Sequence, residues 1–217
     1  PAAQPADQPE LHAVSLGELR SAVPLIRALL DRGERVVTTH FTPAGRREAE
    51  RVFAAEILSG HLAAVWVPFE TSWAYAGFFR AFQPRLGLAM EIEIWPRMIF
   101  ASRSAGVPLY MCNAQYPQDS MERDARFGIR PALMRGFTGA FVKSDLQARR
   151  FASVGVQNIT ITGELRFDQP IPVAHQAAAA ALRPSLGPRR VLAFASVTEP
   201  EEALFLAAAQ EILSVRT

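Results

Sequence analysis

In His12-Ala13-Val14-Ser15-Leu16-Gly17-Glu18 an apolar run stops at Ser15-Leu16-Gly17 and an amphipathic helical pattern begins at once. A strand that feeds a helix through a Gly turn places backbone N–H groups and a helix N-terminus at the strand's carboxyl end. In open α/β sheets ligands bind there. Glu18 stands in that turn. It reads either as a first-turn acid favoured by the helix dipole or as a general base within reach of a substrate hydroxyl.

Outward from this turn the chain alternates strand and helix. Residues 11–14 read as a short strand. Residues 19–32 read as a helix with Leu19, Val23, Ile26, Leu29 and Leu30 on one face, ended by Gly33. Residues 35–39 are β-branched and strand-like. Thr42-Pro43 then opens a helix that runs to about residue 57, with Thr as cap and Pro in the first turn. The pattern repeats with strands over 63–67, 86–90, 107–112, 140–143 and 159–162. Helices fall over 71–82, 96–105, 121–127, 131–137 and 145–153, and residues 115–120 read as a loop. Such alternation with short connections predicts an α/β fold: a Rossmann-like parallel sheet with helices on both faces.

Composition changes after Asp168. Residues 169–189 read as a Pro-rich linker with an Ala-rich helix over 177–182. Residues 190–217 read as the start of a second domain, a strand over 191–195 and a helix over 200–214, cut short at Thr217. Residues 1–9 are rich in Pro, Ala and Gln and read as a disordered lead-in. This leaves 10–168 as the first complete domain. The chain opens on Pro1 without a Met, so residues are expected to have been removed upstream, a stretch with room for a membrane anchor.

The 217 residues are 49% apolar and 20% charged, enough for a sizeable core. The net charge is +2 and the pI about 9.2. Arg supplies nearly all the positive charge, and Lys143 is the only lysine. No Lys/Arg run with interleaved aromatics argues for nucleic acid. Cys112 is the only cysteine, so no disulfide forms within the chain. A buried structural thiol in a reducing compartment is expected. Neither a signal peptide nor an apolar stretch of about 18 residues is present.

Other strand ends carry chemistry. In Met90-Glu91-Ile92-Glu93-Ile94-Trp95-Pro96 a strand runs into two carboxylates. If the segment is extended, Glu91 and Glu93 project to one side and one has a raised pKa; salt-bridged loop acids are the alternative. Glu18 and Glu91 both follow parallel strands, so both are expected at the same sheet edge. Thr42-Pro43-Ala44-Gly45 offers N–H groups for an anion, or is simply a capped helix. Asn113-Ala114-Gln115 follows the fifth strand, and Lys143-Ser144-Asp145 the sixth. Lys143 is a candidate for an anionic ligand, against a solvated surface lysine. Gly163-Glu164-Leu165-Arg166-Phe167-Asp168 closes the domain as a hinge. His12, His40, His61 and His175 are scattered, and structural roles are expected for them. No G-x-G-x-x-G, P-loop, G-x-S-x-G or zinc-type Cys/His spacing occurs.

The ordered set His-Ala-x-Ser-x-Gly-Glu, Thr-Pro-x-Gly, Glu-x-Glu-x-Trp-Pro, Asn-Ala, Gly-x-Leu-[Lys/Arg]-Phe-Asp and Ala-Ser-x-x-Glu, spread over residues 11–202, resembles the 3-deoxy-D-manno-octulosonic acid (Kdo) transferases of lipopolysaccharide synthesis. The resemblance implies the N-terminal half of a GT-B glycosyltransferase. Such an enzyme moves Kdo from CMP-Kdo to lipid A precursor at the cytoplasmic face of the bacterial inner membrane, with no metal or other cofactor. It makes 10–168 an acceptor-binding domain and 190–217 the opening of a donor domain. Its partners would be the lipid A precursor, the CMP-sugar and, peripherally, the membrane.

Carried over, Glu18 is the catalytic base and Glu91 a second catalytic acid. The substrate-binding candidates are Ser15, Gly17, Thr42, Gly45, Glu93, Asn113, Lys143 and Ser196, and residues 199–202 open the donor side. Phe41, Phe69, Trp73 and Tyr116 either meet acyl chains or pack in the core, with core packing expected for most. The chain departs from the family pattern at several strand ends. Asn-Ala-Arg is Asn113-Ala114-Gln115, and Gln-Ser is Lys143-Ser144. Gly-Asn-Leu-Lys is Gly163-Glu164-Leu165-Arg166, and Ala-Ser-Thr-His is Ala195-Ser196-Val197-Thr198. A transferase of altered donor or acceptor, or a non-catalytic sugar- or nucleotide-binding module, is the alternative. A fragment of this length is expected to be inactive alone.

Overall fold

A computed structural model describes residues 8–12, 16–126, 128–188 and 191–214. Two compact units follow one another along the chain, Pro1–Gln169 and Pro170–Thr217. The first holds a seven-stranded sheet in the order β3-β2-β1-β4-β5-β6-β7, with every neighbouring pair parallel. The strands are β1 (Gln8–His12), β2 (Val36–His40), β3 (Leu62–Trp66), β4 (Pro84–Met90), β5 (Leu109–Ala114), β6 (Gly139–Val142) and β7 (Ile159–Ile161). The chain first winds outward from β1 to β3, then returns to lay β4 against the other side of β1. The strand order therefore reverses between β1 and β4, the place where doubly wound sheets bind ligands.

Helices cross between the strands: α1 (Leu16–Asp31), α2 (Pro43–Val52), α3 (Ala54–Leu58), α4 (Ser72–Phe82), α5 (Pro96–Ala105), α6 (Gln118–Ala125), α7 (Ile129–Met134) and α8 (Asp145–Ser153). They cover both faces because strand side chains alternate. Leu88 and Met90 of β4 and Cys112 of β5 join Leu19, Ala22, Ile26, Ala49 and Phe53 from α1, α2 and the α2–α3 junction in one core. Ala89, Leu109 and Met111 join Tyr75, Met98, Ile99 and Phe151 from α4, α5 and α8 in the other. Burial lifts the Cys112 thiol to about 11, as expected of an inert structural cysteine.

Several boundaries differ from the sequence pattern. β1 includes Gln8 and Pro9, so the lead-in expected over 1–9 is overturned at its last two residues; residues 1–7 lie outside the described residues. Pro9 is tolerated in an interior strand because its pairing with β2 begins only at Glu10, and the β4 register shifts between Gln8 and Pro9. The helix expected to run from Pro43 to residue 57 breaks at Phe53. There the Arg27 guanidinium lies over the Phe53 ring at 4.5 Å and donates to the Val52 carbonyl at 2.6 Å. Residues 118–120, expected in a loop, begin α6.

Pro24 sits inside α1 and lacks the N–H that would bond the Arg20 carbonyl. That carbonyl instead accepts the side-chain amide of Gln169. A 3₁₀ turn over Leu165–Asp168 leads there.

The second unit contains α9 (Val173–Leu186), a 3₁₀ turn over Glu199–Glu201 closed by a Thr198 capping box, and α10 (Glu202–Ser214). The strand expected over 191–195 is not formed: these residues have no regular structure. No strand is described elsewhere in this unit to pair with them, and a strand without a ladder leaves its backbone groups to water. Phe194 packs on Phe205 instead, with ring centroids 4.9 Å apart.

Candidate active site

The site is built from loops at the carboxyl edge of the sheet. Gly17 and Glu18 lie in the first turn of α1, and Ser15 lies outside the described residues. Glu18 is half-buried. From β4 come Glu91, Ile92 and Glu93, ahead of Trp95, which precedes α5. Glu91 has left-handed backbone, φ 56°, uncommon for a residue with a Cβ. Its N–H still donates to the Cys112 carbonyl at 2.8 Å, prolonging the β4–β5 ladder by one bond. The segment is therefore a turn and not an extended strand end, and the expected period-two alignment of Glu91 with Glu93 does not apply.

The two acids have different partners. Trp95 Nε1 donates to Glu93 Oε2 at 3.0 Å. Burial is the main force that raises the Glu93 pKa, followed by the nearby charge of Glu18. The Trp95 bond and the Arg130 charge oppose the rise, and the Glu91 charge adds to it. Glu18, at the end of β1, and Glu93, at the end of β4, thus feel each other across the point where the strand order reverses. Arg130 braces this turn by donating to the Ile92 carbonyl at 3.2 Å, and is itself within 3.7 Å of Asp124.

Glu91 faces cations. Its Oε1 lies 3.8 Å from Lys143 Nζ and 3.9 Å from Arg166 Nη2. Lys143 also bonds Glu164 Oε2 at 2.8 Å and Gln115 Oε1 at 3.2 Å. Asn113 is buried and left-handed, φ 53°. Both ends of its amide are engaged, Nδ2 donating to Glu164 Oε1 at 3.0 Å and Oδ1 accepting from the Leu165 N–H at 3.1 Å. Burial pushes Glu164 up, but its bonds from Lys143 and Asn113 and the charges of Lys143 and Arg166 outweigh that, and its carboxyl lies below the usual range. Arg166 Nε reaches Ser21 Oγ at 3.2 Å, one turn beyond Glu18 in α1.

The structure thus joins Glu18, Glu91, Glu93, Asn113 and Lys143 into one edge cluster. It adds Glu164, Arg166 and Arg130, which sequence reasoning did not single out. The Gly163–Asp168 motif carried a signal for the first two; nothing marked Arg130. Thr42 Oγ1 accepts the Gly45 N–H at 3.2 Å, so these two residues form the α2 cap. Ser196 belongs to the second unit, where it is exposed with φ 58°. Among the described residues, no three His, Cys, Asp or Glu side chains are grouped to hold a metal.

Beside α2, a cleft of about 280 Å³ opens at the ends of β2 and β3, lined by Phe41, Trp66, Pro68, Phe69 and Trp95. Phe41 and Trp95 rings lie 5.5 Å apart. Phe41 is 56% exposed, Phe69 79% and Trp73 73%, whereas Tyr116 is fully buried. Core packing, expected for most of these four, holds only for Tyr116. His40 also borders the cleft. It is buried with Nε2 2.9 Å from Thr38 Oγ1, and its pKa is lowered to about 4 by burial, then by Arg46, against Glu50. The ring is neutral at pH 7.

The family model described as 3-deoxy-D-manno-octulosonic-acid transferase (kdotransferase) matches residues 3–169. The 3-deoxy-D-manno-octulosonic acid transferase of Bordetella pertussis is 39% identical over 200 residues, covering 91% of this chain and 46% of that protein. The transferase of the same name from Haemophilus influenzae is 27% identical over 163 residues, 73% of this chain and 37% of that one. The chain thus spans less than half the length of these curated relatives. Among solved structures, UDP-GlcNAc 2-epimerase from Methanocaldococcus jannaschii superposes with TM-score 0.57 at 11% identity, covering 96% of this chain and 63% of that chain. This last likeness is one of fold.

Proposed function

From a chain that belongs to the 3-deoxy-D-manno-octulosonic acid (Kdo) transferase family, with a GT-B-type Rossmann-like sheet, we propose that the full-length enzyme transfers Kdo from CMP-Kdo to a lipid A precursor and that this chain supplies the acceptor side. The observation that carries the reading is the convergence of Glu18 with Glu91 and Glu93 where the strand order reverses between β1 and β4. Glu18 takes the proton of the acceptor hydroxyl as that oxygen bonds the anomeric carbon of Kdo. The bond from that carbon to the CMP phosphate breaks, and CMP leaves with the electron pair. Glu91, held by Lys143 and Arg166, lines the same edge. Among the substrate-binding candidates, Gly17 contributes backbone at the start of α1 and Thr42 and Gly45 at the start of α2, and Asn113 acts through Glu164. Ser196 belongs to the donor side.

Phe41, Phe69 and Trp73 offer exposed apolar surface beside this edge for the acyl chains of the acceptor at the cytoplasmic face of the inner membrane. No described helix is long and apolar enough to cross a membrane.

In the full-length enzyme, Glu18→Gln lowers kcat roughly 10²–10⁴-fold, the range for loss of a general base, while the unfolding midpoint stays near that of the parent. Turnover near the parent's value overturns the assignment of Glu18. A parent enzyme that binds CMP-Kdo without transferring Kdo points instead to a binding module.

A further inference from the structure

His40 is fully buried at the end of β2 and borders the aromatic cleft. Only one of its two ring nitrogens is engaged. Nε2 lies 2.9 Å from Thr38 Oγ1, whereas Nδ1 has no hydrogen-bond partner among the described residues. Thr38 settles which nitrogen carries the proton. Its hydroxyl donates to the Ala63 carbonyl at 3.4 Å, so Oγ1 is left to accept from Nε2–H. Burial, then the Arg46 charge, keep the ring neutral at pH 7, and Nδ1 therefore presents a bare lone pair. Thr38 stands two residues back along β2 on the same face of the sheet. The two nitrogens of an imidazole point in widely divergent directions. With Nε2 turned back along the strand, Nδ1 is turned toward the carboxyl edge, where the cleft opens. A buried acceptor of this kind is costly unless a donor meets it.

The cleft decides what sort of donor fits. Phe41, Trp66, Phe69 and Trp95 give it aromatic walls suited to an apolar chain. Glu70, the carboxylate in its lining, is already engaged: it accepts from the Tyr75 hydroxyl at 3.1 Å and from the Arg97 N–H at 2.9 Å. The Arg46 guanidinium lies 5.0 Å from the Trp66 ring centroid, and its charge disfavours a cationic ligand. An amide would bring a carbonyl oxygen between the same apolar walls along with its N–H. A hydroxyl brings one donor hydrogen on a small group. The cleft also adjoins the proposed reacting edge, because Trp95 forms one wall and donates its Nε1–H to Glu93 at 3.0 Å.

We infer that the cleft binds an acyl chain of the acceptor that carries a hydroxyl, and that His40 Nδ1 accepts the hydrogen of that hydroxyl. His40 is then a specificity-determining residue. The aromatic walls hold a hydroxylated and a plain chain alike, and the lone pair separates them, since a plain chain leaves Nδ1 unmet. This assignment rests on the reading of the edge as the acceptor side of a Kdo transferase.

The test gives the full-length parent, His40→Leu and Thr38→Val two acceptors that differ only in whether their chains bear the hydroxyl. The parent is expected to favour the hydroxylated acceptor in kcat/KM by roughly ten- to a hundredfold, the range for a buried polar group left unpaired. His40→Leu brings that ratio to within about threefold of unity by lowering kcat/KM for the hydroxylated acceptor. Both acceptors are assayed on one preparation, so poor folding of a variant lowers both values alike and leaves the ratio intact. Thr38→Val removes the oxygen that holds the proton on Nε2, and the ratio falls by at least about threefold while His40 is still present. A parent that does not distinguish the two acceptors, or either variant keeping the parent's ratio, overturns the inference. Tryptophan fluorescence of the same proteins, titrated with a fatty acid and with its hydroxylated derivatives, reports on the cleft through Trp66 and Trp95 and needs no transfer. A parent that transfers no Kdo sinks the proposed function by itself. In that case tighter binding of a hydroxylated derivative, lost in His40→Leu, still supports the role of His40, and equal binding of all the fatty acids refutes it.

Discussion

Glu93 is the acid of the edge whose surroundings most oppose its charge. Burial and Glu18 both favour its protonated form, which Trp95 and Arg130 only partly offset. A carboxyl raised in the folded state holds its proton after the unfolded chain has lost its own. Stability contributed by Glu93 is thus present at low pH and falls as pH rises from the ordinary carboxylate range through its raised value. Urea unfolding of the parent and of Glu93→Gln between pH 4 and 8 checks this: the variant loses that part of the decline and gains most at the upper end. A parallel pair of curves would show that Glu93 titrates as an ordinary surface acid. His40 offers a contrast at the same scale. It too is buried against its charged form, but its lowering to about 4 leaves the ring mostly neutral from about pH 5 upward.

At the scale of elements, α1 carries both Glu18 and a proline that breaks its hydrogen-bond ladder. Pro24 leaves the Arg20 carbonyl without its intrahelical donor, and Gln169, at the end of the first unit, bonds that carbonyl. The helix with the proposed base is thereby tied to the segment that also carries Glu164 and Arg166, and Arg166 adds a second tie at Ser21. Gln169→Ala is expected to cost about 0.5–1.5 kcal/mol, the usual worth of one hydrogen bond. In a Pro24→Ala background the backbone N–H returns and the same change costs little. Denaturant unfolding of the four proteins measures this coupling, and equal costs in both backgrounds contradict it.

For the molecule as a whole, the strand order matters more than any single element. Laying β4 against β1 brings the loops after both strands to one crevice, so acids 73 positions apart in sequence, Glu18 and Glu91, come to share an edge. On the same edge, the half built from β2 and β3 presents exposed aromatics, while the half built from β4 to β6 holds the charge cluster. Under the proposed function, this division is the one an acceptor with a polar sugar and an apolar tail would use. Substituting Phe69 and Trp73 with Ser is expected to reduce sedimentation of the full-length enzyme with anionic lipid vesicles several-fold, since each exposed aromatic buries considerable apolar area on insertion. Both side chains lie outside the cores, so the unfolding midpoint should stay close to the parent's. Undiminished vesicle binding would place the membrane contact elsewhere.

The alternation of strand and helix, the parallel sheet, and the placement of Glu18, Glu91, Asn113 and Lys143 at strand ends were all legible in the chain itself. These follow from local periodicity, turn residues and caps, each encoded within a few neighbouring residues. The break at Phe53 was not legible, because Arg27, a helix away, draws on the Val52 carbonyl. Nor was the exposure of Phe41, Phe69 and Trp73, since apolar spacing looks alike in a core and beside a cleft. The partners at the edge were also hidden: Lys143 with Glu164 and Gln115, and Asn113 with Glu164 and Leu165. Such pairs depend on strand order and on a register shift, and these are set by packing both faces of the sheet at once. A local pattern states which side of an element is buried, but only the assembled sheet decides which distant strand end it meets.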